Sequence, residues 1–494
     1  MTGALARGLD EAGLVAEVRR ALSGLATGTP AVLAVSGGRD SAGLALLVAR
    51  ARPDLVLSVA HVRHGLRDDA ADAAAAAGIA QRLGLPLAVR SVAVRADGEG
   101  MEAAARDARH AALAALARGC AARAVLLGHT AEDQAETVLL ALGRGTGVRG
   151  LGGMRPARDG DGVELLRPLL RLRRADVAAA VAAAGLPTVE DPTNTDPEQR
   201  RRRVRTTVLP ALAELSGGSG DPVALLTRLA DLARDDADLL DELAAAHVRR
   251  LVRAWGPVRV VRADALAALH PALRRRVARA LLAAVRGTTA GLDAAAVNRT
   301  LTLASGDDPV PPPGGRPGPA GEVHVAGGVR VTANGGWLAA APPALADLPA
   351  RPLAVPGAVD LPELGLRMTV ALTGVAGGGP ATLASSTPGR PTGDGVLPPT
   401  ARAPRGTAGA AVVALGPVAL HGLVVRSRQP GDEAPGSSRG LGRRFTDLGV
   451  PRALRQLVPV VTTAAGETLW VPGVGVAPVG IRQAAVLVWL ERPR

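Results

Sequence analysis

The chain has 494 residues, a formal net charge of +13 and 47% hydrophobic residues. Gly (61) and Pro (38) make up one residue in five, above the usual ~12% and below the ~25–30% that marks global disorder. About three ordered domains with Pro/Gly-rich joins are therefore expected from this length.

Lysine is absent, and all 58 basic residues are Arg. This excludes Schiff-base and Walker-A lysine chemistry. Tyr is absent and Phe occurs once, so aromatic platforms for single-stranded nucleic acid are nearly excluded. Arg remains suited to bidentate phosphate contacts. A GC-rich coding bias accounts for Arg in place of Lys, but not for the net excess of positive charge, which points to a polyanionic partner. Cys120 is the single cysteine, so disulfide frameworks, Cys-based zinc sites and iron–sulfur clusters within one chain are excluded. It is expected to be a small core residue. The first residues, MTGALARGLDEAG, lack the apolar core of a signal peptide. The uncharged stretch between Arg405 and Arg426 carries Gly and Pro417 and reads as short strands and turns rather than a membrane span. A cytoplasmic protein that engages no membrane is expected.

In chain order, residues 31–36, 55–62, 87–94 and 124–128 read as short apolar strands. Between them, Ser41–Arg50 and Met101–Arg118 are long enough for crossover helices. This alternation predicts an α/β domain with a parallel sheet up to about Leu215. Asp221 and Pro222 then form a helix start. Leu225, Leu229, Leu232, Leu239 and Leu243 follow at helical spacing, and Gly256 closes the helix. Asp264 opens a second helical stretch with Leu266, Leu269, Leu273 and Val277. Residues 309–321 form a loop, and β-hairpins around Gly-Gly and Asn-Gly turns follow it. Residues 375–410 read as a linker, and strands resume from Ala411.

Val35-Ser36-Gly37-Gly38-Arg39-Asp40-Ser41 closes the first strand and opens a helix. Two glycines allow a tight turn that aims N–H groups at phosphate oxygens. Ser36 and Ser41 add hydroxyls, and the helix N-terminus adds positive potential. Asp40 suits an anion cradle only if a divalent cation bridges it to the phosphates. Further on, Gly128-His129-Thr130-Ala131-Glu132-Asp133-Gln134-Ala135-Glu136-Thr137 leaves the fourth strand. Asp133 and Glu136 are three apart and share a helix face, at the strand ends where open α/β sheets bind ligands. Such a pair can hold an ammonium group. Arg144-Gly145-Thr146-Gly147-Val148-Arg149-Gly150-Leu151 is a basic glycine-rich loop. Arg200 to Arg203 with Arg205 is the densest charge on the chain; it reads as a phosphate-binding segment or as a solvated helix end.

The SGGRDS loop resembles the pyrophosphate-binding loop of the N-type ATP pyrophosphatases. His61-Val62-Arg63-His64-Gly65-Leu66-Arg67, Glu102-Ala103-Ala104-Ala105-Arg106, the 128–137 string, the 144–151 loop, Arg167-Pro168-Leu169-Leu170 and Asp191-Pro192-Thr193-Asn194 are similar to segments of one member family, the tRNA(Ile)-lysidine synthetases. Arg201, Arg203 and Arg205 match that family's Arg-rich pattern, with Gln199 where an aromatic is usual and Arg202 where Asn is usual. Val425 to Asp432 and Arg443 to Asp447 are similar to its C-terminal domain.

The resemblance implies a parallel-sheet PP-loop catalytic domain (1–216), a mainly helical tRNA/substrate-binding domain (217–345), a β segment with linker (346–410) and a small C-terminal α+β tRNA-binding domain (411–494). It implies ATP and Mg²⁺, with Ser36, Gly37, Gly38, Arg39, Asp40 and Ser41 around pyrophosphate and Asp40 on Mg²⁺. Asp133 and Glu136 would orient free lysine. His61, His64, Arg106 and His129 would face the ATP pocket or tRNA, and Arg144, Arg149, Arg201, Arg203 and Arg205 would contact phosphates. The partners implied are free L-lysine and tRNA(Ile) with a CAU anticodon; a homodimer stays open. Two other readings also stay open at this point. One is a different tRNA-modifying or amide-forming PP-loop enzyme, and the other is a non-catalytic Arg-rich RNA-binding relative.

Overall fold

The computed structural model describes residues 8–63, 69–92, 101–160, 162–189, 197–215, 220–289, 291–305, 321–325, 327–334, 336–373, 410–414, 422–435, 437–476 and 485–491. His64, the Asp191–Asn194 string and the 375–409 part of the expected linker lie outside the described residues, as does nearly all of the 309–321 loop. The chain divides into two compact units, Met1–Leu239 and Leu240–Arg494.

In the first unit the order is α1 (Glu11–Ala21), β1 (Pro30–Ala34), α2 (Arg39–Ala51), β2 (Val56–Arg63), α3 (Ala70–Leu83), β3 (Leu87–Ser91), α4 (Met101–Gly119), β4 (Ala124–Leu126) and α5 (Ala131–Leu142). Then come α6 (Val148–Leu151), the hairpin β5 (Ala157–Gly160) and β6 (Val163–Leu166), α7 (Arg174–Ala183), α8 (Pro197–Arg203), a π-helical turn (Val204–Val208) and α9 (Leu209–Leu215). The sheet order is β3-β2-β1-β4-β6-β5. All neighbours run parallel except the β5–β6 hairpin. β1 and β4 are apolar runs, buried as central parallel strands require. The direction of strand succession reverses between β1 and β4, and Leu33 pairs with Leu126 there. Both following loops therefore emerge at the same sheet edge, where open α/β sheets place ligands.

α2 is buried almost all round because α7 packs directly on it. A Cβ at Gly43 would lie 2.1 Å from Val177 Cγ1, so only glycine admits that approach. This contact brings the start of α7 beside the start of α2. On the other flank, Val138 of α5, Val204 of the π-turn and Leu226 of the helix that starts at Pro222 share one buried cluster. Burying side chains of this size contributes roughly 1.5–3 kcal/mol each and fixes the π-turn against α5.

The helix α10 spans Pro222–Leu251. Its predicted start is correct: Asp221 Oδ1 accepts from Val223 N at 3.1 Å. The leucines that announced the helix are not its core face. Leu225, Leu229, Leu232, Leu239 and Leu243 are exposed, while Val223, Leu226, Ala230, Ala233, Ala237 and Ala244 are buried. Alanine carries much of the buried stripe, so large side chains alone mislead in this composition. The helix stops at Leu251 rather than at Gly256, which instead turns between β7 (Arg253–Trp255) and β8 (Val258–Arg262). The stretch after Asp264 is two helices, α11 (Ala263–Ala267) and α12 (Pro271–Arg286), because Pro271 cannot continue a helix begun before it.

α13 (Ala294–Ser305), β9 (Glu322–Val325), β10 (Val329–Asn334) and β11 (Trp337–Ala341) follow. The segment expected to be mainly helical thus also builds a five-stranded antiparallel sheet, β7-β8-β11-β10-β9. The expected Gly-Gly and Asn-Gly hairpins are β9–β10 and β10–β11. Next are β12 (Arg351–Leu353), β13 (Gly357–Leu361), β14 (Leu366–Thr373), β15 (Ala410–Ala414), β16 (Leu423–Arg426), α14 (Leu441–Asp447), a 3-10 turn (Arg452–Leu454), β17 (Val460–Thr462), β18 (Thr468–Val471), β19 (Gly475–Val476) and β20 (Ala485–Glu491). They form two further antiparallel sheets, β12-β16-β17-β18-β19 and β13-β14-β20-β15. Trp255 is buried in this unit and donates to the Leu457 carbonyl at 3.0 Å. Among the described residues no helix is long and apolar enough to cross a membrane.

Candidate active site

Ser36 and the two glycines leave β1 and turn into α2. Gly37 has φ +97°, and a Cβ there would lie 2.8 Å from the Asp72 carbonyl oxygen. The loop closes on itself through Ser41, whose hydroxyl donates to the Gly38 carbonyl at 2.8 Å and accepts from Ser36 N at 3.1 Å. His61 supports the turn from β2. It is buried, and its Nδ1 donates to the Val35 carbonyl at 2.9 Å. A cavity of about 230 Å³ opens over the loop, lined by Ser36, Gly38, Arg39, Asp40, Ser41, Arg174 and Ala178.

At the neighbouring strand end, Thr130 starts α5. Asp133 Oδ2 accepts from both Thr130 N (2.9 Å) and Thr130 Oγ1 (3.1 Å), which satisfies an otherwise orphaned helix-start donor. One Asp133 oxygen is therefore structural. The other, Oδ1, faces Arg174 Nη2 at 2.7 Å. Glu136 lies one turn on, its side chain only 1% exposed. Its carboxylate accepts from Arg205 Nε and, at 3.2 Å, from Arg205 Nη2. Gln134 faces the opposite way and fixes the 152–154 backbone, taking Met154 N at 2.7 Å.

Arg174 joins the two halves. Its Nε donates to Asp40 Oδ2 at 3.0 Å, and its Nη1 lies 4.0 Å from Glu136 Oε1. Burial alone would lower its pKa, but Asp133, Asp40 and Glu136 outweigh this and raise it. Burial pushes the Asp40 carboxyl up, and Arg174 only partly offsets this. Burial likewise raises Glu136 against the pull of Arg205. For Asp133 burial acts upward too, but Arg174, the Thr130 N–H and His129 together hold the carboxyl below its ordinary value.

The structure thus brings Ser36 to Ser41, Asp133, Glu136 and Arg205 to one place. A second cavity of about 120 Å³ adds His129, Arg144 and Arg201 beside Asp133. Arg149 on α6 and Arg203 at the end of α8 are exposed, and Arg203 makes no ion pair with either site carboxylate. Arg106 lies on α4, but its side chain is outside the described residues. The expectation for Cys120 is overturned: it is exposed just beyond α4. In the C-terminal segment, Arg426 and Asp432 grip each other at 2.8 and 2.9 Å, so that motif first holds its own loop.

The sequence reading missed Arg174 and its support. Glu132 accepts from Arg173 Nε and from Arg174 N, both at 2.8 Å. The available signal was position, since Arg173 and Arg174 follow Arg167-Pro168-Leu169-Leu170 closely. No residue spacing announces a contact across 134 positions, as between Arg174 and Asp40.

A glycine-turned loop at a helix start, beside a second strand end that presents paired carboxylates, defines an ATP pyrophosphatase of the PP-loop class. Residues 15–212 match the family model described as a PP-loop domain, and residues 423–489 match the TilS substrate C-terminal domain. A tRNA(Ile)-lysidine synthase of Salinispora tropica is 41% identical over 331 residues, covering 66% of this chain and 95% of that protein. One from Symbiobacterium thermophilum is 34% identical over 475 residues, 91% of this chain and 90% of the relative. One from Mycolicibacterium paratuberculosis is 46% identical over 254 residues, 51% and 74% respectively. The chain belongs to the tRNA(Ile)-lysidine synthase family, and with it to the ATP-using ligases.

Proposed function

We propose that this chain joins free lysine to carbon 2 of the wobble cytidine in tRNA(Ile) with the CAU anticodon. The cytidine O2 attacks the α-phosphorus of ATP and pyrophosphate leaves, so that AMP is carried on O2. The lysine ε-amine then adds to carbon 2 and gives up its proton, and AMP departs with the oxygen. The modified base pairs with A rather than G, so that AUA is read instead of AUG.

Ser36, Gly37, Gly38, Arg39 and Ser41 line the cavity assigned to the phosphates or shape its floor. Asp40 fits a divalent cation shared with those phosphates: its Oδ1 is buried with no hydrogen-bond partner. Mg²⁺ held there would offset charge on the leaving pyrophosphate. Asp133 and Glu136 are assigned to the lysine ammonium. Glu136, with its carboxyl raised by burial, is the better proton acceptor of the two. Arg201, Arg205 and Arg144 are assigned to tRNA or AMP phosphates.

The observation that carries this reading is the Asp133–Glu136 pair. Asp133 Oδ1 and the Glu136 carboxylate already face guanidinium groups, and Arg174 also reaches Asp40 of the phosphate loop. The test is incubation with ATP, Mg²⁺, labelled lysine and purified tRNAs. Label is expected in CAU-anticodon tRNA(Ile) and not in tRNA(Met). AMP formation without lysine transfer would assign the chain to another PP-loop reaction.

A further inference from the structure

We propose that Arg174 is a positioning residue that keeps the Asp133 carboxylate of the amine-binding pair closed until a phosphate chain lies in the loop, so that nucleotide precedes tight lysine binding. This rests on the lysine reading of Asp133 and Glu136.

The competition is direct. Asp133 has one oxygen committed to Thr130. The only oxygen left for a substrate ammonium is Oδ1, and Arg174 Nη2 sits on it at 2.7 Å. The same guanidinium reaches Asp40 through Nε and forms part of the wall of the phosphate cavity, with Ser36, Gly38 and Ser41. A phosphate in that cavity offers Arg174 a charge-assisted, bidentate partner of higher charge than a single carboxylate. Arg174 then turns from Asp133 toward the phosphate and leaves Oδ1 with only the more distant Arg205 Nη2, at 4.0 Å. Glu136 keeps Arg205 through this exchange, because Arg205 enters from the π-turn and not from α7.

The hinge is confined to the side chain. Glu132 fixes the Arg174 backbone N–H at 2.8 Å, and Gly43 lets α7 lock onto α2. The guanidinium can therefore swing about its own side-chain bonds while the helix start stays in place. One cation thus reports the filling of one subsite to the other, which is a coupling between two ligands.

The test is calorimetric titration of lysine into the full-length chain. It is done alone, with Mg²⁺ and saturating inorganic pyrophosphate, and with adenosine. Pyrophosphate saturation is set by its own titration. Pyrophosphate is expected to tighten lysine binding about tenfold or more, and adenosine to leave it unchanged. Arg174→Ala is expected to bind lysine without pyrophosphate as tightly as the wild type does with it, and Arg174→Lys to restore part of the coupling. Should Arg174→Ala fail to fold, the pyrophosphate-against-adenosine comparison on the wild type still decides. Equal lysine affinity with and without pyrophosphate would overturn the proposal and leave the lysine site standing. So would full coupling in folded Arg174→Ala, or a loop that binds no pyrophosphate. No lysine binding under any condition would overturn the lysine reading itself, and this proposal with it.

Discussion

Glu132 Oε2 accepts the backbone N–H of Arg174 at 2.8 Å, so the first turn of α5 holds the first turn of α7. A carboxylate at a helix start satisfies an orphaned donor and suits the positive end of the dipole. Glu132→Ala is expected to cost about 1–3 kcal/mol of stability in urea unfolding. Because it frees the backbone under Arg174, it is also expected to lower kcat/KM for lysine about tenfold or more. Glu132→Gln keeps an acceptor for the N–H and should retain most of both. Equal losses in the two variants would contradict the role of that hydrogen bond.

The site carboxyls shift in opposite directions, which sets a pH dependence. Asp40 and Glu136 are raised by burial, so the folded chain holds their protons more tightly than the unfolded one. Their contribution to stability is present below the ordinary carboxyl value of ~4 and is lost as pH rises through the raised values. Asp133 is held low; its contribution is present above ~3.9 and is lost as pH falls through the depressed value. On acidification from neutrality, Glu136 is therefore protonated before Asp133. The KM for lysine is expected to rise in the window just above the ordinary carboxyl range, while carbon-13 resonances show Asp133 still ionised. A KM that stays flat down to ~4 would contradict these assignments.

The Arg-rich segment divides its labour. Arg203 and Arg205 are both exposed, but only Arg205 is engaged with Glu136. Binding of tRNA should weaken with salt, and Arg203→Ala should reduce the slope of log K against log salt by about 1 without changing the KM for lysine. Arg205→Ala should raise that KM, since it strips the counter-ion from a buried carboxylate. Identical effects of the two substitutions in filter binding and kinetics would erase this distinction.

Cys120 is exposed, and it is the only thiol. A chromogenic disulfide reagent should titrate one thiol in the native chain, with lysine ligation retained. A thiol that reacts only after denaturation would contradict its placement.

The catalytic sheet was legible because its strands are short apolar runs and its loops carry distinctive strings. Ser36 to Ser41, Asp133 and Glu136 sit together as the strand order requires. Three kinds of feature were not legible. In α10, alanines bury and leucines are exposed, which inverts the usual weight of large apolar residues. The β5–β6 hairpin and the β7–β8 pair that extends the expected hairpins into a sheet use strands of three to five residues broken by Arg, Asp or Glu, so no continuous apolar run marks them. Arg174 reaches Asp40 only because Gly43 admits Val177, and a tertiary contact of that kind leaves no local pattern.

The central claim is that Asp133 and Glu136 hold the lysine amine beside a separate phosphate loop. Asp133→Asn tests it most directly, because the amide oxygen can still cap α5 through Thr130 while the charge is removed. Lysine and nucleotide affinities would be measured in parallel on the folded variant. The expected result is loss of lysine binding by about tenfold or more, with nucleotide affinity no weaker than in the wild type, because the substitution also removes the contact that competes for Arg174. An equal loss of both, or unchanged lysine binding, would contradict the assignment.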